Sequence, residues 1–337
     1  MHVNSCACWN VVLKMNNLQK DIFNISDEES FNQLALQIYH FQFGNIPVYK
    51  EYVQRLNKKT PSHYTEIPFF PISFFKSHKV CKDGLSPEVV FKSSGTTGQI
   101  RSQHFVEDTQ LYKDSFFKAY TSLIGNPENQ VILALLPNYI EQGESSLVYM
   151  VDHLVTATKN QLSGFLLNTP SEIELRYKQA LKSGKEVVIF GVSYALLDLA
   201  EQNVNLSKAR IIETGGMKGR RKELTKEELH NELKLGLDVP FVSSEYGMTE
   251  LLSQGYSDSD GLFETPPWMK ILIREVNDPF HYLEDGKTGG INVIDLANIN
   301  SCSFIATQDL GRTFDSKFEI MGRFDNSDIR GCNLLVE

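Results

Sequence analysis

The run Phe91-Lys92-Ser93-Ser94-Gly95-Thr96-Thr97-Gly98-Gln99 carries residue types suited to a polyphosphate. Its glycines can turn several backbone N–H groups inward, and its Ser and Thr hydroxyls add donors for phosphate oxygens. No Gly-Lys-[Ser/Thr] follows at P-loop spacing, and there is no G-x-G-x-x-G, so the run is neither of those phosphate loops. Farther on, Ile211-Ile212-Glu213-Thr214-Gly215-Gly216 ends in paired glycines, where a flat ring could lie against bare backbone. Ser243-Ser244-Glu245-Tyr246-Gly247-Met248-Thr249-Glu250 offers an aromatic face, a hydroxyl and a carboxylate. A purine, a phosphate and Mg²⁺ need one of each. Near the end lie Thr307-Gln308-Asp309-Leu310-Gly311 and Gly322-Arg323-Phe324-Asp325. Asp309 could accept from two ribose hydroxyls, and Arg323 could pair with the sugar or a phosphate.

These residues need elements to hold them. Apolar runs at 131–136, 187–190 and 211–212 read as short buried strands. Helical patterns over 171–183, 194–202 and 225–234 separate them, the last opened by a Thr225/Glu228 capping box. Strands alternating with helices imply parallel β-α-β units, whose ligands sit beyond the carboxyl ends of the strands. After Glu250 the pattern changes to strands over 269–276, 290–296 and 303–307 joined by turns. Four segments are therefore expected: a disordered leader over 1–25, a helical module over 26–62 capped at Ser26, an α/β body over 63–250, and a β-rich lobe with a tail over 251–337. The aromatic run Ile67 to Lys76 is read as core packing rather than a ligand wall.

With 337 residues, 41% of them hydrophobic and 22% charged, the chain can bury a large core. A net charge of -9 opposes nonspecific nucleic-acid binding, which depends on basic surface. No apolar run approaches the length of a membrane span, and the N-terminus lacks the pattern of a secretory signal. Five irregularly spaced cysteines fit reduced thiols and a cytoplasmic location better than a disulfide framework.

Taken in order, Ser94-Gly-Thr-Thr-Gly98, Gly215-Gly216, Tyr246-Gly-Met-Thr-Glu250, Asp309 and Gly322-Arg323-x-Asp325 resemble the motifs of the adenylate-forming superfamily. That family includes acyl-CoA synthetases, luciferases and peptide-synthetase adenylation domains. The resemblance covers roughly residues 65–337. It implies an α/β fold, the family's large N-terminal domain: mostly parallel sheets flanked by helices, plus a β-rich lobe. It also implies ATP and Mg²⁺, with a carboxylate attacking the α-phosphorus to give acyl-AMP and pyrophosphate before a nucleophile takes the acyl group. By position, Ser93, Ser94, Gly95, Thr96, Thr97 and Gly98 hold the pyrophosphate end. Gly215, Gly216 and Tyr246 frame adenine with Gly247 beside them in the nucleotide site, Thr249 meets the α-phosphate, Glu250 binds Mg²⁺, and Asp309 and Arg323 hold the ribose.

Two departures matter. The phosphate loop usually continues Gly-x-Pro-Lys, whereas Gln99-Ile100-Arg101 follows Gly98, so Arg101 would carry the positive charge beside the leaving pyrophosphate. The sequence also ends twelve residues after Asp325, so the small C-terminal domain and its catalytic lysine are expected to be absent. A shortened member of this kind resembles the acyl-protein synthetases of bacterial bioluminescence fatty-acid reductase complexes. The likeness rests on Pro71-Ile-Ser-Phe-Phe-Lys76, on Ser93 to Gln99 with Ser102 and His104, and on the ending Ile329-Arg330-Gly331-Cys332-Asn333-Leu334. It implies a fatty-acid substrate, a thioester on Cys332, and delivery to an acyl-reductase or acyl-transferase partner. Arg330 could lower the thiol pKa. Alternatives are transfer of the acyl group to CoA or an amine, or a catalytically silent nucleotide- or acyl-binding subunit. His104 either lines the acyl pocket or hydrogen-bonds a neighbouring strand, the second being preferred. Lys218 is a candidate substitute for the lysine, with solvated loop charge preferred.

Overall fold

The computed structural model describes residues 18–94, 100–136, 144–166, 170–216, 221, 224–259 and 261–324. The chain opens on helices α1 (Glu28–Asn45) and α2 (Pro47–Leu56). Asp27 caps α1, exchanging hydrogen bonds with Ser30, so the capping box sits one residue beyond the expected Ser26 cap. Residues 18–22, assigned above to a leader, form a helical turn with Leu18 and Ile22 buried in the core. Strand β1 (Phe70–Pro71) and the single turn α3 (Phe74–Ser77) come next. Phe69, Phe70 and Phe75 are buried and Phe70 stacks on Phe74, so the aromatics of the run are core as expected, whereas Ile72, Ser73 and Lys76 line a cleft, which that expectation excluded.

Strands β2 (Val89–Lys92) and β3 (Gln103–Val106) form a separate antiparallel pair. The α/β alternation follows as α4 (Thr109–Leu123), β4 (Gln130–Leu135), α5 (Ser146–Ala157), β5 (Gly164–Phe165), α6 (Pro170–Lys182), β6 (Glu186–Val192), α7 (Ser193–Ala200), β7 (Ala209–Thr214), α8 (Lys226–Leu237) and β8 (Val242–Tyr246). β4 is buried along its whole length and β6 from its second residue on. That is what continuous apolar runs dictate when helices cover a sheet. Thr225 caps α8 and Glu228 closes the box, as the sequence indicates. Helices α7 and α8 approach closely enough that a Cβ on Gly236 would lie 2.5 Å from the Ala200 carbonyl oxygen.

Beyond β8 the strands are β9 (Gly255–Ser257), β10 (Leu262–Glu264), β11 (Met269–Arg274), β12 (Gly289–Asp295), β13 (Phe304–Phe314) and β14 (Lys317–Arg323). They continue the same sheet, whose order is β11-β12-β13-β14-β10-β9-β8-β7-β6-β4-β5, with β1 on β13. Five strands from β5 to β8 run parallel. β9 pairs antiparallel with β8, and from there the ladder is antiparallel. The change of character near residue 250 is thus a change of strand direction inside one sheet. The mixed α/β class expected from the sequence is the one observed.

Candidate functional site

β7 ends in Thr214 and turns through Gly215 and Gly216, whose φ angles of 88° and 116° a side chain would strain. Behind this turn Glu213 is fully buried. Its carboxylate accepts from Ser193 Oγ at 2.9 Å and Ser244 Oγ at 2.7 Å, and pairs with Lys226. Ser193 Oγ also accepts from the Gly216 N–H at 3.2 Å, linking the ion pair to the glycine turn. Burial alone would raise the Glu213 pKa, but Lys226, His230 and Ser244 outweigh it and hold it well below the usual carboxylate range. Lys226→Met strands this carboxylate and is expected to cost about 3–5 kcal/mol in urea unfolding. Because the folded pKa is depressed, the stabilisation is present above about pH 4.5 and is lost as pH falls through the folded value. The variant should lose that acid sensitivity.

β8 carries the next group. Strand alternation sends Tyr246 and Glu245 to opposite faces. On one face, Tyr246 donates its hydroxyl to Asp309 Oδ2 at 2.9 Å. Past Gly247 the backbone leaves the sheet, and its position is fixed from below by His104. This buried ring places Nδ1 2.8 Å from the Thr249 carbonyl and Nε2 2.9 Å from Asn298 Oδ1. Asn298 in turn donates to the Glu250 carbonyl at 2.7 Å. Burial pushes the His104 pKa down to about 4 against both acceptors, so the ring is neutral at physiological pH and donates to one of them. His104 therefore supports the Thr249–Glu250 turn and does not line the cleft. Glu250 is 6% exposed. Burial raises its pKa above the ordinary carboxylate value, against the pull of Ser102, Arg323 and Lys76.

Ser93, Ser94 and Arg101 lie at the ends of the Gly/Thr loop between β2 and β3. Ser93 and Ser102 staple those ends through Ser93 N–H to the Ser102 carbonyl at 3.1 Å and Ser102 N–H to Ser93 Oγ at 3.0 Å. Arg101 donates to the Ser93 carbonyl, reaches the Lys92 carbonyl at 3.3 Å, and lies 3.5 Å from Glu144. Much of its fork is thus spent clamping the base of the loop, which the sequence does not reveal.

Strands β13 and β14 set Asp309 directly opposite Arg323. Asp309 Oδ1 accepts from Arg323 Nε at 3.0 Å, while its other oxygen takes the Tyr246 hydroxyl. Each oxygen keeps lone-pair capacity for a further donor. Arg323 is mostly exposed, so it is held by this one pair and can reach a ligand.

One cleft of about 900 Å³ brings these elements together. Its lining includes Ser93, Ser94, Arg101, Gly215, Gly216, Tyr246, Gly247, Thr249, Glu250, Asp309 and Arg323. Gly95, Thr96, Thr97, Gly98, Lys218, Asp325, Arg330 and Cys332 lie outside the described residues. Several lining residues have no role in the sequence reading, among them Lys76, Glu245 and Gln254. Four other cleft cations (Lys92, Arg101, Lys226 and Arg323) are ion-paired, whereas Lys76 has no ion-pair partner among the described residues. Lys76 sits in the aromatic-rich run, where nothing but the fold itself turns it toward Glu250.

Mg²⁺ takes one or two carboxylates and fills its octahedron with substrate phosphates and water. No cluster of three or more His, Cys, Asp or Glu side chains suited to a metal occurs among the described residues. Glu250, a buried carboxylate whose charge is poorly compensated, fits the one-carboxylate mode. No helix among the described residues is long and apolar enough to cross a membrane.

No protein-family model matches the chain, and no curated protein matches it. Among solved structures, ATP-bound MatB from Rhodopseudomonas palustris superposes with a TM-score of 0.53 at 17% identity, over 69% of this chain and 47% of its own. An open conformation of 2-hydroxyisobutyryl-CoA ligase with 2-HIB-AMP and CoA gives 0.60 at 11% identity, over 89% and 70%. A double mutant of o-succinylbenzoate CoA synthetase (MenE) from Bacillus subtilis gives 0.51 at 18% identity, over 72% and 51%. The chain spans about half the length of MatB and MenE. These likenesses show the fold: the mixed α/β arrangement of this chain is the one found over the matched part of those ligase and synthetase structures.

Proposed function

We propose that the protein activates a carboxylic acid with ATP, releasing pyrophosphate and forming acyl-AMP, and then passes the acyl group to the thiol of Cys332. The observation that carries the first step is the convergence of five distant segments on one cleft. Gly215 and Gly216 leave room for adenine, Asp309 and Arg323 receive the ribose, and Thr249 and the Ser93–Ser94 segment meet the phosphates. Glu250 would hold Mg²⁺, which when bound neutralises phosphate charge. Lys76 aligns the acid's carboxylate or a phosphate oxygen, and Arg101 keeps the loop in register. The rate would come from alignment and fixed charge. The second step rests on the sequence resemblance at Cys332. It would yield a thioester for delivery to a partner protein, and it extends to a fatty acid only as far as the cleft admits one.

Carboxylate-dependent exchange of labelled pyrophosphate into ATP tests the first step. Exchange should appear with a suitable acid, and Cys332→Ala should retain it while losing all hydroxylamine-sensitive acyl label on the protein. Label that survives in Cys332→Ala removes the self-acylation step. Undiminished product with added CoA would favour a ligase of the kind whose complex with 2-HIB-AMP and CoA shares this fold. No exchange with any acid would leave a nucleotide-binding subunit.

A further inference from the structure

Glu144 holds two of the cleft's cations at once. Its Oε1 lies 2.5 Å from Lys92 Nζ and its Oε2 lies 3.5 Å from Arg101 Nη1. Lys92 closes β2 and Arg101 stands two residues before β3, so they flank the Gly/Thr loop, and both line the cleft beside Ser93 and Ser94. The Lys92 N–H also donates to the Glu144 carbonyl at 2.8 Å, which ties the backbone of the carboxylate to the end of the strand. One carboxylate thus answers two positive charges beside the loop that the resemblance assigns to the leaving pyrophosphate.

The other paired cations are held differently. Glu213, the partner of Lys226, is 1% exposed and takes further hydrogen bonds from Ser193 and Ser244, so breaking its pair strands a buried charge. Asp309 holds Arg323 while also accepting from the buried Tyr246 hydroxyl. The side chains of Lys92, Arg101 and Glu144 are instead 31%, 29% and 38% exposed. Glu144 can therefore swing into water at little cost, because water replaces what it gives up. A polyphosphate brings more acceptor oxygens and more negative charge than one carboxylate, so it competes well for the same two cations.

We infer that Glu144 is a resident counter-anion, which occupies Lys92 and Arg101 while the cleft is empty and yields them to the outer phosphates of the nucleotide. Lys92 is then the main pyrophosphate-binding cation. Arg101 keeps its Nε and Nη2 on the Ser93 and Lys92 carbonyls and offers Nη1. No covalent bond changes, since one ion pair replaces another. The exchange run backwards returns Glu144 to Lys92 and favours release of pyrophosphate once acyl-AMP has formed. The inference rests on the nucleotide-binding part of the function proposed above.

The test is calorimetric titration of the full chain with inorganic pyrophosphate and Mg²⁺, with pyrophosphate exchange run on the same preparations. Glu144→Gln keeps the side-chain volume, loses the charge, and should tighten pyrophosphate about 5-fold, the size of a partly exposed ion pair. Salt at about 1 M, where charges act over roughly 3 Å, should shrink that gain. Lys92→Met should weaken pyrophosphate about 10-fold or more. Within Lys92→Met, Glu144→Gln should gain less than about 2-fold, because the cation it would release is gone. Lys92→Arg keeps the charge and should retain most of the binding, and it serves in the same comparison if Lys92→Met does not fold. Weaker or unchanged pyrophosphate binding in folded Glu144→Gln marks the pair as architecture and overturns the inference. An equal gain with and without Lys92 overturns it too, and in both cases persisting exchange leaves acid activation standing. Binding in the expected order without exchange for any acid sinks acid activation alone. No pyrophosphate binding by any variant, wild type included, overturns both.

Discussion

Glu250→Gln is expected to lower pyrophosphate exchange by about 10²–10³-fold, comparable to removing one preorganised charge-stabilising group from an active site. The same change should leave the protein at least as stable at neutral pH, and the contrast follows from the sign of its pKa shift. Burial raises the Glu250 pKa, so the folded state favours the protonated acid. Its contribution to stability is full below the unfolded value and declines as pH rises through the folded one. An ionised Glu250 therefore works against folding while the cleft is empty, and a neutral amide removes that burden. Activity runs the other way, because only the carboxylate can ligate a cation. The acid limb of kcat/KM for ATP, which reports the free enzyme, should therefore lie above the range of an exposed carboxylate and should move to lower pH in Glu250→Gln. Unfolding curves and pH–rate profiles on one preparation check both halves.

Asp309→Ala is expected to raise the KM for ATP by about 100-fold with a smaller change in kcat, because it removes binding felt equally in ground and transition states. It also takes away the acceptor of the buried Tyr246 hydroxyl, an orphaning that costs about 1–3 kcal/mol of stability. Adding Tyr246→Phe should recover most of that stability, since removing both partners of a buried hydrogen bond can be nearly neutral. It should recover none of the ATP binding. If nucleotide affinity returns together with stability in the double variant, Asp309 is a structural residue and the ribose assignment fails.

The parallel half of the fold was legible because Val131 to Leu136 and Val187 to Phe190 are unbroken apolar runs, which only strands covered on both faces tolerate. Thr225 with Glu228 marked the start of α8 by a local exchange of hydrogen bonds, and local chemistry survives in sequence. The glycines at 215 and 216 were legible for a similar reason, since their backbone angles exclude side chains. What could not be read depends on distant partners. β9 is three residues long, too short to declare itself, yet it joins the two halves of the sheet. Glu245 and Gln254 become neighbours only because Tyr246 pairs with Gly255 across that junction. The charge of Arg101 points to a phosphate, and its spacing gives no sign of the Ser93 and Lys92 carbonyls that occupy it. The sequence favours a hydrogen bond from His104 to a neighbouring strand over a place in the pocket, but its partners, Thr249 and Asn298, are 145 and 194 residues away and lie in turns beyond β8 and β12.

The chemistry itself can be followed with an acid carrying heavy oxygen in its carboxylate. If that carboxylate attacks the α-phosphorus and the acyl group then departs, each AMP should carry one heavy atom while the released pyrophosphate carries none. Heavy oxygen in pyrophosphate or inorganic phosphate, or AMP formed without it, would contradict attack by the acid at the α-phosphorus.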